Sequence, residues 1–373
     1  MITDPLAGYE DWPRFLQEAE PAPAGDELQR RLVTALGARA ASASGVEVEH
    51  EWTSGGVRGR RLRWRLPFGP PTVAYLLTPE RAGDAPLPGL LALHCHGGVR
   101  STGAEQLVRT DLPPHESAER LRTAVYDGRS PANDLARAGF AVLCHDTFSW
   151  GSRAFDLSAP TPRLSGLIAA QNALWREQGV VPSEAERFDA AASLHEDTIA
   201  KAAGMLGTTL AGAVVTDDLA ALDVLASQPE VDSGRIGVFG LSGGGGRAAL
   251  VGALDGRVRA VVITCMMATY GSIVPNYLDT HSWLLNSPGL WQVCDWPEVP
   301  AIGRARATLV QYGVRDPLFA RTGMDDAHQK LLRHHGDGSY RGSFHDAGHL
   351  STAAMQAEAA EFLADALRTS PVG

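Results

Sequence analysis

The 373-residue chain is short of lysine, of paired cysteines and of long apolar runs, and each shortage narrows what it can be. Only two of its 33 basic residues are lysines, Lys201 and Lys330. This reads as a compositional bias of the source and not as a site. Against those 33 stand 43 acidic residues, for a formal charge of −10. The clustered positive charge on which non-specific nucleic-acid binding runs is therefore missing. No stretch approaches the ~18 uninterrupted apolar residues of a membrane span. Met1-Ile2-Thr3-Asp4-Pro5 lacks the basic start and apolar run of a signal peptide. The four cysteines, Cys95, Cys144, Cys265 and Cys294, show no paired spacing. Three lie in or beside apolar strand-like runs, as buried thiols in a reducing compartment do. These absences lead to the expectation of a cytoplasmic protein that engages neither nucleic acid nor membrane. Apolar residues are not scarce. At 44 % hydrophobic and 20 % charged, the chain can bury a large core as one big α/β domain or two smaller ones.

Residues 1–45 are rich in Ala, Pro and acidic residues and hold one helix-like stretch, Asp26 to Ala40. They read as a helical extension packed on a main domain of residues 46–373. From Val46 the period changes to two, through Val46–Trp52, Val57–Leu66 and Thr72–Leu77, which predicts antiparallel strands. Strand and helix patterns then alternate. Strands are expected at Gly89–His94, Phe140–Cys144, Arg235–Phe239, Val258–Thr264, Ala307–Tyr312 and Tyr340–Phe344. Helices are expected over Ser117–Ala138, Ala185–Ser227 with a break between Gly204 and Gly212, Gly246–Leu254, Met324–His335 and Thr352–Arg368. Such an order implies a mixed, mostly parallel sheet with helices on both faces. In such sheets the chemistry gathers where strands end and loops begin.

The strongest chemical signal is Gly240-Leu241-Ser242-Gly243-Gly244, between the strand ending at Phe239 and a following helix. This G-x-S-x-G pattern in a strand–turn–helix context predicts a nucleophile elbow. There a serine is held at strained, near-positive φ, and small neighbours let strand and helix approach. The helix N-terminus sets free N–H groups beside the serine oxygen. A serine needs a base, and the base needs an orienting carboxylate, in the chain order Ser, Asp or Glu, His. Asp316 follows the strand Ala307–Tyr312. Two histidines, His345 and His349, follow the last strand. His349 is the expected base because Gly348 lets its loop swing over the strand ends, with His345 as the alternative. The oxyanion donors are expected at Gly243 N–H and in Leu93-His94-Cys95-His96-Gly97-Gly98, first His96 and next Gly97.

Four segments carry a resemblance: Leu93 to Gly98, His145-Asp146-Thr147-Phe148-Ser149-Trp150-Gly151-Ser152-Arg153, Gly240 to Gly244, and Gly313 to Asp316 with Gly348-His349. Over roughly residues 60–370 the chain resembles an α/β-hydrolase of the dienelactone-hydrolase and acetyl-xylan-esterase-like group. The resemblance implies an eight-stranded sheet, a Ser-Asp-His triad and no cofactor. Cys95 stands where the family's His-Gly-x-Gly-Gly loop has a glycine, which requires negative φ at that position. By the same mapping Cys95 lies on the wrong loop to be the nucleophile. A dienelactone hydrolase typically carries Cys at the elbow, whereas Ser242 points to ester hydrolysis more generally.

Arg153, after a strand on the same rim, is a candidate for binding a substrate carboxylate. The competing reading is an ion pair with Asp146. Residues 265–300 are an insertion between two strands, rich in aromatics and broken by prolines. A lid is expected there, with Tyr270, Trp283 and Trp291 contacting an apolar substrate group. Local packing or a contact between copies is the alternative, and a homo-oligomer stays open. His94-Cys95-His96 and His345-x-x-x-His349 have metal-ligand spacings. Each falls where the hydrolase pattern already gives it a role, and no metal is expected. The reading is a serine hydrolase acting on a small-molecule ester through an acyl-enzyme. The rivals are an acyltransferase or cyclase on the same triad, and a non-catalytic hydrolase-like binding protein.

Overall fold

Nine apolar or alternating runs pair into one nine-stranded sheet of order β1-β2-β3-β5-β4-β6-β7-β8-β9. The strands are β1 Ser44–Ser54, β2 Val57–Arg65, β3 Thr72–Pro79, β4 Leu87–Leu93, β5 Ala141–His145, β6 Val231–Leu241, β7 Val258–Thr264, β8 Ala307–Gly313 and β9 Tyr340–His345. The resemblance implied eight strands. The ninth is the edge strand β1, visible in the alternation of Val46–Trp52. The computed structural model describes residues 5–16, 25–83, 85–303, 305, 307–335 and 338–368, so part of the N-terminal extension 1–45 lies outside it.

β1, β2 and β3 are antiparallel, and β3 pairs antiparallel with β5. From β5 to β9 every pairing is parallel. The β1–β2 turn is Gly55-Gly56, both at positive φ, as a tight two-residue hairpin turn demands. The edge is guarded by charge: Glu49 on β1 pairs with Arg61 at 2.8 Å and Arg63 at 3.5 Å on β2. The central strands β4, β5, β7 and β8 are buried on both faces and accordingly read as continuous apolar runs.

The helices are α1 Trp12–Leu16, α2 Asp26–Leu36, α3 Glu116–Val125, α4 Pro131–Arg137, α5 Pro162–Glu177, α6 Glu184–Met205, α7 Leu210–Ala226, α8 Gly243–Leu254, α9 Tyr270–Ile273, α10 Val299–Ile302, α11 Arg321–His334 and α12 Ala353–Ala366. Successive strand residues point to opposite faces, and two cores follow. Ile236 and Val238 join Leu28, Leu32 and Leu36 of α2, with α7, α8 and α11, on one face. Phe239 and Leu241 join α4 and α12 on the other. None of the helices among the described residues is long and apolar enough to cross a membrane.

Helix limits depart from the periodicity where local chemistry intervenes. The stretch Ser117–Ala138 splits because Asp127 and Gly128 turn at φ 58° and 71° and Pro131 starts a new helix. α6 and α7 are separated at Leu206–Thr209, where Thr209 accepts a hydrogen bond from Gly212 N–H as the N-cap of α7. The elbow helix begins at Gly243 and not at Gly246, because its N-cap is Ser242 itself.

Candidate active site

Ser242 sits at φ 55°, ψ −126° between β6 and α8, a conformation costly for a residue with a side chain. The surroundings enforce it. Ser242 N–H donates to Thr264 O on β7 at 2.8 Å, and Gly246 N–H donates to Ser242 O at 3.0 Å. The two glycines of the motif are steric necessities. A Cβ on Gly240 would lie 2.3 Å from the Gly244 carbonyl carbon, and one on Gly244 would lie 2.0 Å from Leu93 O. Any larger residue would push α8 off the strands.

His349 follows β9 on a turn in which Leu350 N–H donates to Gly348 O at 2.9 Å. Its Nε2 lies 2.7 Å from Ser242 Oγ, and its Nδ1 lies 2.7 Å from Asp316 Oδ2. The Asp316 side chain is fully buried. Its Oδ1 accepts from Leu318 N–H at 2.9 Å, so both carboxylate oxygens are engaged. His345 goes elsewhere: its Nε2 lies 3.0 Å from Glu358 Oε2 on α12. Cys265, at φ 50° after β7, has its sulfur 3.8 Å from Gly348 O, directly behind the His349 turn. Burial, and then the charge of Asp316, push that thiol up to about 12.

The loop after β4 faces the elbow. An ideal Cβ on Gly243 would lie 3.1 Å from His96 N, so the His96 backbone nitrogen lies against the first residue of α8. Gly97, the alternative donor, turns at φ 61°, while Cys95 is absent from the positive-φ residues, as its place in the loop requires. The Cys95 thiol is buried and donates to Gln106 Oε1 at 3.1 Å.

Arg153 is a correction. It pairs with neither Asp146 nor any group lining the cavity at Ser242. Its Nε and Nη2 donate to Asp217 on α7 at 2.8 and 3.1 Å, and its Nη1 donates to Phe68 O at 3.0 Å and Pro70 O at 2.5 Å. Both side chains of this pair are fully buried. Asp146 instead accepts from the backbone N–H groups of Ala104 and Ser152, both at 2.8 Å.

The insertion 265–300 does overhang Ser242, but not through the expected aromatics. A cavity of about 280 Å³ opens at Ser242, Gly243, His96 and His349, and the insertion lines it with Thr280, His281, Ser282 and Leu285. Tyr270, Trp283 and Trp291 do not line it. Tyr270 is buried against Trp291 and Trp296 at ring distances of 5.9 and 6.2 Å. The large rings of the proline-broken segment are spent on the main core, where Tyr270 and Trp296 join residues of α2, α7 and α8 and Trp291 packs against them. Trp283 turns outward, its indole N–H donating to Asp197 at 2.8 Å.

Sequence reasoning missed His281, Glu196, Arg100 and Arg247. His281 lies 2.9 Å from Leu318 O through Nε2, and burial pushes it down to about 4. It is a neutral ring in the cavity wall. Arg247 on α8 donates to Asp218 on α7 at 2.9 and 2.6 Å and to His94 O at 3.0 Å, tying the elbow helix to the loop after β4. The signal was present: Arg247, Asp217 and Asp218 interrupt otherwise apolar helices, and charges in such places need buried partners. His94 and His96 do not converge. His94 Nδ1 bonds to Cys95 O at 3.0 Å, and His96 Nε2 to Glu196 Oε2 at 3.0 Å.

A mostly parallel sheet with a strained serine between strand and helix, backed by a histidine and a buried aspartate, defines an α/β-hydrolase. The chain belongs to the dienelactone hydrolase family, whose sequence model matches residues 127–361, and it is a hydrolase. It is 26 % identical over 295 residues to the Bacillus subtilis (strain 168) protein YtaP, assigned as a hydrolase, covering 78 % of this chain and 82 % of that one. Its fold is similar to that of a Bacteroides fragilis NCTC 9343 protein assigned as an acetyl xylan esterase, with TM-score 0.63, 14 % identity, and coverage of 91 % of this chain and 82 % of the other. It is also similar to the glucuronoyl esterase from Solibacter usitatus, with TM-score 0.57, 16 % identity, and coverage of 93 % and 95 %. At these identities the structural likeness is one of fold.

Proposed function

We propose that this hydrolase cleaves a small, uncharged carboxylic ester through an acyl-enzyme on Ser242. The observation that carries the reading is the pair of 2.7 Å contacts from His349 to Ser242 Oγ and to Asp316. Ser242 Oγ bonds to the ester carbonyl carbon as its proton passes to His349 Nε2. Asp316 accepts from Nδ1–H, which fixes the tautomer and stabilises the imidazolium. The carbonyl oxygen, now an oxyanion, is held between the N–H groups of His96 and Gly243. The bond to the alcohol oxygen breaks as His349 returns the proton to it. Water then adds by the same route, releasing the acid and restoring Ser242.

The lining supports the word uncharged. None of the described side chains around the cavity is Lys, Arg, Asp or Glu, so nothing there repays the desolvation of a carboxylate. The test is covalent labelling with a fluorophosphonate followed by peptide mass spectrometry, then a panel of neutral and carboxylate-bearing esters. The adduct is expected on Ser242, with higher kcat/KM for the neutral esters. Labelling elsewhere, or full activity in Ser242→Ala, overturns the mechanism. A preference for the carboxylate-bearing esters overturns the substrate class.

A further inference from the structure

We infer that Glu196 is a positioning residue whose single carboxylate couples the oxyanion donor to the wall of the substrate cavity. This rests on the proposed roles of Ser242 and His96. Glu196 lies on α6, is 6 % exposed, and is 100 residues from His96 and 87 from Trp283 in the chain. Its Oε2 accepts from His96 Nε2–H at 3.0 Å and from the Arg100 guanidinium. Its Oε1 accepts from the main-chain N–H of Trp283 at 3.0 Å. Burial alone would push this carboxyl up, but the His96 hydrogen bond and the Arg100 charge outweigh burial and hold it at about 2.

On the oxyanion side, every polar atom of His96 but one is tied down. Nδ1 accepts from Gly98 N–H at 3.1 Å, which places the ring proton on Nε2, facing Glu196. The carbonyl accepts from Val99 N–H at 3.2 Å and from the Trp150 indole N–H at 3.4 Å. Trp150 in turn carries the Arg100 guanidinium 3.6 Å over its ring. The main-chain N–H is left over, its nitrogen 3.1 Å from where a Cβ on Gly243 would lie. On the wall side, Trp283 follows His281 and Ser282, which line the cavity. Asp197, next to Glu196, accepts from the Trp283 indole N–H at 2.8 Å. The wall and the oxyanion donor are thus registered to each other through one side chain.

The chemistry of the three partners makes the idea testable, because all three are donors. A glutamine at position 196 must turn its NH₂ either toward Trp283 N–H or toward His96 and Arg100 together, so Glu196→Gln breaks one side of the coupling while keeping the shape. Per-site kcat, normalised by fluorophosphonate titration of folded sites, is expected to fall about 10- to 100-fold, in the range of partners that orient a functional group. The affinity for a trifluoromethyl ketone, which forms an oxyanion on Ser242, is expected to fall by a similar factor. KM is expected to move less than threefold. A merely structural role would lower the number of titratable sites and leave per-site kcat and ketone affinity unchanged. Glu196→Asp keeps the charge beside Arg100 but is one methylene too short to reach both sides, and about a 3- to 10-fold loss is expected in the same two readouts. If Glu196→Gln does not fold, Glu196→Asp decides. Per-site kcat within twofold of the parent in the folded variant, or a fall in kcat with ketone affinity unchanged, overturns the proposal. Failure of the parent protein to label at Ser242 would instead overturn the esterase mechanism on which it rests.

Discussion

At the ends of β4, β6, β8 and β9, the groups that meet at Ser242 arrive on short turns whose geometry the backbone dictates. Ser242 must adopt φ 55° because β6 passes into α8 there with two glycines in van der Waals contact with backbone. Asp316 and His349 lie just beyond their strands. The overhanging insertion 265–300 obeys no such rule. Short helical turns such as α9 and α10 are stitched by contacts like Asp295 to Tyr270 N–H at 2.8 Å. Its large rings pack into the main core, and its polar Thr280, His281 and Ser282 are what the cavity meets. Groups placed by the sheet follow from topology. Groups placed by an irregular segment follow from packing that only the folded chain reveals.

The largest effect available to break this contrast lies in the two histidines that the rim separates. His349→Ala removes the group 2.7 Å from Ser242 Oγ, and kcat is expected to fall about 10⁴-fold or more, because triad members act as a unit. His345 bonds to Glu358 instead, and His345→Ala is expected to cost about tenfold or less. Steady-state kinetics on one soluble ester decide it. Equal losses in the two variants would mean that strand-end geometry does not select the base.

Next in size is a stability effect with no catalytic counterpart. Arg153→Ala leaves Asp217 buried without its partner, since both side chains are fully buried. Breaking a buried pair from one side costs about 3–5 kcal/mol, to be read from urea unfolding. The kcat/KM ratio between neutral and carboxylate-bearing esters is expected to stay unchanged in the folded fraction. A loss of carboxylate-bearing substrates alone would return Arg153 to the site.

Inside the insertion the contrast sharpens between one leucine and one tryptophan. Leu285 lines the cavity, whereas Trp291 packs on Tyr270. Leu285→Ala enlarges the pocket and is expected to raise the kcat/KM ratio of bulky over short acyl esters about tenfold, the order of one or two methylenes in a pocket. Trp291→Ala is expected to leave that ratio as it is. A shift in the ratio with Trp291→Ala and none with Leu285→Ala would restore the aromatic lid.

How much of this was legible in the sequence follows the same divide. The nine runs, the elbow and the loops bearing Asp316 and His349 were legible because period-two patterning and glycine sterics act over a few residues. Arg153 misled because a rim position says nothing of a partner on α7, 64 residues later. Glu196 was invisible for the same reason: its meaning lies in three donors that the fold, not the chain order, brings together. The aromatics of 265–300 misled because a tryptophan in a loop signals burial without saying against what.

The smallest effect tests whether the insertion's buried rings are separate from the chemistry. Tyr270 is buried and its hydroxyl donates to Leu285 O at 3.3 Å, the carbonyl of a residue that lines the cavity. Tyr270→Phe keeps the ring packing on Trp291 and Trp296 and removes only that bond. The expected cost is about 0.5–1.5 kcal/mol in unfolding free energy, the net worth of one such hydrogen bond. The 3.3 Å length is beyond the usual range for a hydroxyl donor, which puts the value at the low end. Because the lost bond fixes a carbonyl and not the Leu285 side chain, kcat/KM is expected to change less than twofold for short and bulky esters alike. A tenfold change with stability untouched would mean that Tyr270 holds the wall in register with Ser242, and the insertion would then have to be counted as part of the rim.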